Sequence, residues 1–465
     1  MTWANKLTFF ILCVAIVFTT VAYGTVHQPI IALFYLLVVL AVIFWALDSF
    51  ASGRIRYSRS LLQLPAILVA IYGFIQIIPF GTVAEMAGIS GIPRTISLDP
   101  FNTQINAYHF ISFALFLGVL LVYLESAARL QTLINVITVF GFIFAFFGIL
   151  QSFLSPNMIY GVYQTREGAS FGSFVNRHNY AAFVEMAMAL PLGLLFTGAI
   201  KKDKRLLYIT AVALMGVSLL LSKSRGGLVA FVAEVILLVI LTRASSSSKQ
   251  FALKAVLAGL LVIGIIGGAV FVGGESSLTR FAETATSKDI TTDRGHIWRV
   301  TLSAISHNLP FGAGLGAFGV AYTPYDSYNG LERVEQAHND YLQVLADAGI
   351  VGLLIGLFFL YTLTRTGLKN LKTDNTFRRG VAMGAFAGCF AILVHSIFDF
   401  VLHTTAISVM FLTLIALLSA SGREYDDDFE DEYREPVRKK SNASITPISK
   451  GRKETLTGTK VVKSR

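Results

Sequence analysis

Three side chains in this sequence have the type and setting to meet an anion and to accept a proton: Arg225, Arg294 and His338. His338 stands in Gln336-Ala337-His338-Asn339-Asp340-Tyr341-Leu342-Gln343-Val344-Leu345-Ala346-Asp347-Ala348-Gly349. At the helical period Tyr341, Leu342, Val344, Leu345 and Ala348 share one face, and Asn339, Asp340, Gln343 and Asp347 share the other. His338 falls on the apolar side, in the expected first turn. An imidazole there points into protein, and the positive end of the helix dipole disfavours its protonation. A neutral, sheltered imidazole is suited to accepting a proton. The plainer reading is a core histidine satisfied by a backbone carbonyl. What favours the first is the apolar run Gly349 to Leu363 directly after it, which sets His338 near a membrane boundary.

Arg225 lies in Ser222-Lys223-Ser224-Arg225-Gly226-Gly227, between two apolar runs. A guanidinium at a membrane edge is costly unless it meets an anion, and the two glycines permit close approach of backbone or ligand. The alternative is an anchor snorkelling to lipid phosphate. Arg294 and Arg299 sit in one amphipathic segment, and their planar forks suit bidentate contact with phosphate oxygens, although a surface salt bridge, for instance with Asp293 or Asp289, is an equal reading. Asn179 belongs to the polar cluster Asn176-Arg177-His178-Asn179. Asp399 lies in the turn His395–His403, as partner to a site or, more plainly, as an acid capping the helix that follows. Gly312-x-Gly-x-Gly lacks the strand-turn-helix setting of a nucleotide loop and reads as a bend. The eight histidines show no zinc spacing, so no metal and no cofactor is expected.

These residues must be carried by membrane helices. Hydrophobic residues make up 54% of the chain and charged ones 14%, and apolar runs long enough to cross a bilayer recur. Twelve spans are expected, near 7–23, 29–47, 61–79, 107–124, 131–153, 179–199, 205–221, 226–242, 251–273, 349–363, 380–398 and 403–419. The fold class is therefore all-α and polytopic. Alternate connections carry the Lys and Arg residues: Arg54, Arg56 and Arg59; Lys201 to Arg205; Arg243 and Lys249; Arg365 to Arg379. The positive-inside rule puts these loops and both termini in the cytoplasm, with the long loops 80–106, 154–178 and 274–348 outside. The net charge of +10 follows from the basic loops and tail and does not imply nucleic acid. Cys13 and Cys389 lie within spans as small apolar fillers. Residues 422–465, acidic and then basic, are expected to be a disordered cytoplasmic tail.

Taken together, these features resemble the O-antigen ligase/polymerase superfamily of bacterial cell-surface polysaccharide assembly. The resemblance rests on Ser224-Arg225-Gly226-Gly227, Asp293-Arg294 with Trp298, the Pro-Phe-Gly-x-Gly-x-Gly run at 310–316, and Ala337-His338-Asn339-Asp340-Tyr341-Leu342. It covers the chain roughly from the sixth span onward, and less specifically Asn176-x-x-Asn179 and the 395–399 stretch. It implies a metal-independent, inverting glycosyltransferase at the outer face of the bacterial inner membrane. The donor would be a glycan on undecaprenyl pyrophosphate, and the acceptor a sugar hydroxyl of a glycan or of lipid A-core. It also implies that Arg225 and Arg294 hold the pyrophosphate, with His338 on the acceptor hydroxyl and Arg299, Asn179, Asn339 and Asp399 auxiliary. Membrane lipids, a flippase and a chain-length regulator are the implied partners. Two other readings stand beside this one. A solute transporter should show polar, broken spans near the bilayer midplane. A non-catalytic part of a polysaccharide export complex would leave the placement of Arg225 unexplained.

Overall fold

The computed structural model describes residues 2–82, 90–166, 168–243, 248–273, 294–327 and 333–425. Asp289 and Asp293, the alternative partners of an arginine salt bridge, and the tail from 426 onward, expected to be disordered, lie outside the described residues. The helices are α1 Trp3–Val21, α2 Gln28–Ser52, α3 Leu64–Gln76, α4 Pro100–Tyr123, α5 Ala127–Leu154, α6 Arg177–Thr197, α7 Arg205–Leu221, α8 Arg225–Arg243 and α9 Ser248–Gly273. After these come α10 Arg294–Asn308, the short α11 Phe318–Tyr322, α12 Asp340–Asn370, α13 Thr376–His395 and α14 Thr405–Ser421. The strands among the described residues are one small hairpin, β1 Met158–Ile159 and β2 Tyr163–Gln164. The protein is an all-α polytopic membrane protein.

Each of the twelve expected spans meets an apolar helix. Ten are long and apolar enough to cross a bilayer, and the two shorter ones are Leu61–Gln76 and Thr405–Ser421. Burial sorts them: the apolar windows of α6 and α13 are 83% and 78% buried, those of α2 and α9 only 17% and 11%. The centre is therefore α6 against α13. Glycine makes that contact: a Cβ on Gly193 would lie 2.5 Å from the Gly380 carbonyl oxygen and 2.3 Å from the Gly384 amide nitrogen. Gly380, Gly384 and Gly388 recur every fourth residue, so they share one face and let backbones touch where apolar lipid offers no driving force for association.

Two elements expected separately are one. The helix after His338 and the span 349–363 form the single α12, broken internally at Gly349 (φ 58°, ψ −144°). Its 31 residues would reach about 45 Å if straight. The orientation of its first turns is the reverse of the expected one. Asp340, Gln343 and Asp347 are buried, whereas Tyr341 and Val344 are 40% and 41% exposed. Outside a membrane helix lies hydrocarbon, so its apolar side faces outward and its polar side must find partners inside. The packed body also runs past residue 421: Tyr425 is buried, and its hydroxyl donates to the Leu124 and Ala420 carbonyls.

Candidate active site at one end of the bundle

The N-termini of α6, α8, α12 and α14 and the C-terminus of α13 meet at one end of the bundle. The turn 396–404 between α13 and α14 lies among them, and Asp399 is its centre. Asp399 is 2% exposed. Its Oδ1 lies 3.2 Å from His338 Nδ1, and its Oδ2 lies 3.2 Å from an Arg294 nitrogen and 3.8 Å from His178 Nδ1. Burial alone would raise its pKa. The His338 hydrogen bond and the charges of His178 and Arg294 outweigh burial and hold the carboxyl well below the usual carboxylate range. The capping role expected of Asp399 is not the one it has: Thr404 occupies the N-cap of α14.

His338 precedes α12 and is not part of its first turn. Asn339 is the N-cap, its side-chain oxygen accepting from the Tyr341 and Leu342 amides at 3.0 Å each. His338 itself adopts φ +49°, a left-handed conformation uncommon for any residue but glycine. Neighbouring bonds hold it there. The Ala337 amide donates to Gln343 Oε1 at 2.8 Å, and the Trp298 indole donates to the Ala337 carbonyl at 3.1 Å. On the other side the Asn339 amide group donates to the Ile397 carbonyl at 2.9 Å, and the Asp340 N–H to the Ser396 carbonyl at 3.0 Å. The run Ala-His-Asn-Asp is thus clamped between α10 and the 396–399 turn, and the ring rests edge-on against Phe400. In the tautomer that donates Nδ1–H to Asp399, Nε2 is left with a lone pair to accept a proton.

Arg294 opens α10. Its guanidinium donates to the Phe398 carbonyl and to Asp399. Two contacts leave further N–H donors on the five-donor fork. Arg225 opens α8; its side chain is exposed and has no hydrogen bond or ion pair among the described residues. Ser224 beside it is buried, its hydroxyl accepting from the Gly227 amide at 3.2 Å and lying 2.9 Å from His178 Nδ1. A Cβ on Gly226 would come within 2.8 Å of the His395 ring and 3.2 Å of Phe398. The glycine pair therefore seats the start of α8 directly against the 395–398 segment. Arg225 emerges next to the Asp399 cluster, at a helix N-terminus whose free amides favour anions.

The other expected residues divide. Asn179 is buried and donates to the Thr404 side chain at 2.6 Å, tying α6 to the start of α14. Asn339 is fully used as a cap and tether. Arg299 is exposed on α10, five residues on from Arg294, and meets none of the cluster among the described residues. The glycine run is a strap over α12. Gly312, Gly314 and Gly316 all have positive φ, and the amides of Ala313, Gly314 and Gly316 donate to the Ala346 carbonyl, the Asp347 carbonyl and the Asp347 carboxylate. Sequence reasoning missed His178 and the fully buried Glu185, His395 and Glu234 one layer below. Glu185 and His395 Nδ1 pair at 3.1 Å, and Glu234 has no hydrogen-bond partner among the described residues. The missed signal was a carboxylate within each of two apolar spans.

No curated protein matches the chain. Residues 210–357, from α7 through the first half of α12, match the family model described as O-antigen ligase. That segment includes Arg225, Arg294 and His338; Asp399 and His178 lie beyond it. About a third of this multi-pass membrane protein is thus similar to the O-antigen ligase family, which supports the resemblance to that superfamily and, in general terms, a role in polysaccharide assembly.

Proposed function

We propose that the protein transfers a glycan from undecaprenyl pyrophosphate to a sugar hydroxyl at the outer face of the bacterial inner membrane. The observation that carries this reading is the Asp399 hub, which holds Arg294 and His338 together beside the N-terminus of α8, where Arg225 has no hydrogen bond or ion pair among the described residues. The acceptor oxygen attacks the anomeric carbon as the bond to pyrophosphate breaks. The hydroxyl proton passes to Nε2 of His338, and the departing electron pair stays on pyrophosphate, whose growing charge meets Arg225, Arg294 and the α8 N-terminus. Attack opposite the leaving group inverts the anomeric centre. The basic connections lie at the other end of the bundle, at the C-termini of α2, α6, α8 and α12, which supports an outward-facing site by the positive-inside rule. Ligase and polymerase use this same step and differ in the acceptor, lipid A-core or a further repeat unit.

The test is His338→Gln and His338→Ala in detergent-purified protein, with donor binding, product formation and thermal unfolding measured on the same samples. His338→Ala should keep donor binding and lose about 10²–10⁴ in turnover. His338→Gln should regain part of that rate only if orienting the hydroxyl matters more than taking its proton. Loss of activity in step with loss of folded protein would overturn the assignment.

A further inference from the structure

At the opposite end of the bundle a cavity of about 390 Å³ opens between the link before α3, the C-terminal part of α12 and the residues after α14. Four cations line it, Arg59, Arg365, Lys369 and Arg423, with hydroxyls from Ser60 and Ser419 and no carboxylate. The cations come from three distant stretches of sequence. The positive-inside rule accounts for their number at this end but not for their convergence on one concavity. Arg365 and Lys369 are one turn apart on α12, a like-charge pair that repels, and neither side chain has a hydrogen bond or ion pair among the described residues. Among the described residues the Arg59 side chain hydrogen-bonds only the Tyr57 hydroxyl at 3.3 Å, and that of Arg423 only the Leu124 carbonyl at 3.3 Å. An anion is the missing element. The wall also carries Leu61, 49% exposed, and Tyr361 and Leu368 on α12 are exposed beside it, so an acyl chain has apolar surface to follow from this level into the bilayer.

We propose that this cavity binds the phosphate headgroup of an anionic phospholipid, in the cytoplasmic leaflet if the orientation proposed above holds. Basic pockets between helix ends are a recurrent way of holding such headgroups, and the arginine forks suit phosphate oxygens. Free phosphate shares the same chemistry. The chain's own acidic run, Glu424 to Glu435, starts at the rim and is the competing occupant.

The full-length protein in neutral detergent is titrated with phosphatidylglycerol, phosphatidylcholine or inorganic phosphate, with lipid retention read by native mass spectrometry and stabilisation by thermal unfolding. Phosphatidylglycerol should be retained and stabilise; phosphatidylcholine should not. Each cation near a membrane surface is worth about fivefold in affinity for anionic lipid, so Arg365→Gln with Lys369→Gln should weaken retention about 25-fold. Arg54→Gln, an exposed cation at the same end outside the cavity, should leave it unchanged. Equal retention by wild type and the double variant would overturn the site. Stabilisation by inorganic phosphate equal to that by phosphatidylglycerol would overturn the lipid in favour of a free anion. Asp426→Asn, Asp427→Asn and Asp428→Asn together should not change retention; a tenfold rise would make the acidic run the resident occupant and overturn the proposal.

Discussion

Asp399→Asn separates the chemistry of this site from its architecture better than any other single change. The substitution keeps the shape of the side chain and removes its charge. At 3.2 Å the attraction between Asp399 and Arg294 is about 5 kcal/mol at an effective dielectric of 20. Breaking a buried pair by removing one partner typically costs about 3–5 kcal/mol. The Arg294 side chain is 20% exposed and keeps its bond to the Phe398 carbonyl, so the lower end, about 3 kcal/mol, is a ceiling for the stability loss. The effect on turnover has another origin. An asparagine can offer its NH₂ to Nδ1, which would make that nitrogen the acceptor and place the ring proton on Nε2, where it blocks the proposed proton transfer. Loss of the correct tautomer should cost about 10²–10⁴ in turnover, or roughly 3–5.5 kcal/mol on the barrier. Steady-state transfer is measured well below the melting temperature, with donor affinity and folded fraction determined on the same preparation. Asp399→Asn combined with His338→Gln should lose no more than His338→Gln alone, because the two residues act as one unit. Turnover within threefold of wild type, or a loss that follows the folded fraction, would refute the positioning role. Because the folded-state pKa of Asp399 is depressed, its contribution to stability is present above the unfolded value near 4 and is lost only as the pH falls far below it.

Three further outcomes follow from the same geometry. Arg225→Lys should lower transfer at least about tenfold at normal membrane abundance, since a point charge cannot reproduce a bidentate fork; near-normal transfer would make Arg225 a lipid anchor. Gly349→Ala should lower melting temperature and activity together, because its Cβ would sit 2.2 Å from the Pro310 carbonyl oxygen at a φ of +58° and only backbone could yield; unchanged melting would contradict the strap packing. Burial pulls His403 toward neutrality, but the Asp340 hydrogen bond at 2.9 Å and its charge outweigh this and raise the pKa above the ordinary value. The stabilisation lost in Asp340→Asn should then be full below about pH 6.5, the unfolded value, and fade as pH rises through the raised folded value; a gap in melting temperature that widens with pH would refute it.

What the chain determines locally was legible without coordinates. A span is a length of apolar sequence, and all twelve expected runs meet apolar helices because the bilayer imposes that length residue by residue. Arg225, Arg294 and His338 were legible by type, since charge at a membrane boundary is costly wherever it stands. The role of Asp399 was not. Its partners lie 61 and 105 positions away, and an acid just ahead of an apolar run reads as a cap until another helix brings it a histidine and an arginine. Nor could periodicity show which side of α12 faces inward. It shows which residues share a face, and in water the apolar face would be the buried one; in hydrocarbon both surroundings are apolar, so only the partners waiting in the interior decide. Ala337, Gly316 and His403 wait there for Gln343, Asp347 and Asp340, and that pairing turns the polar face inward and sets His338 beside Asp399.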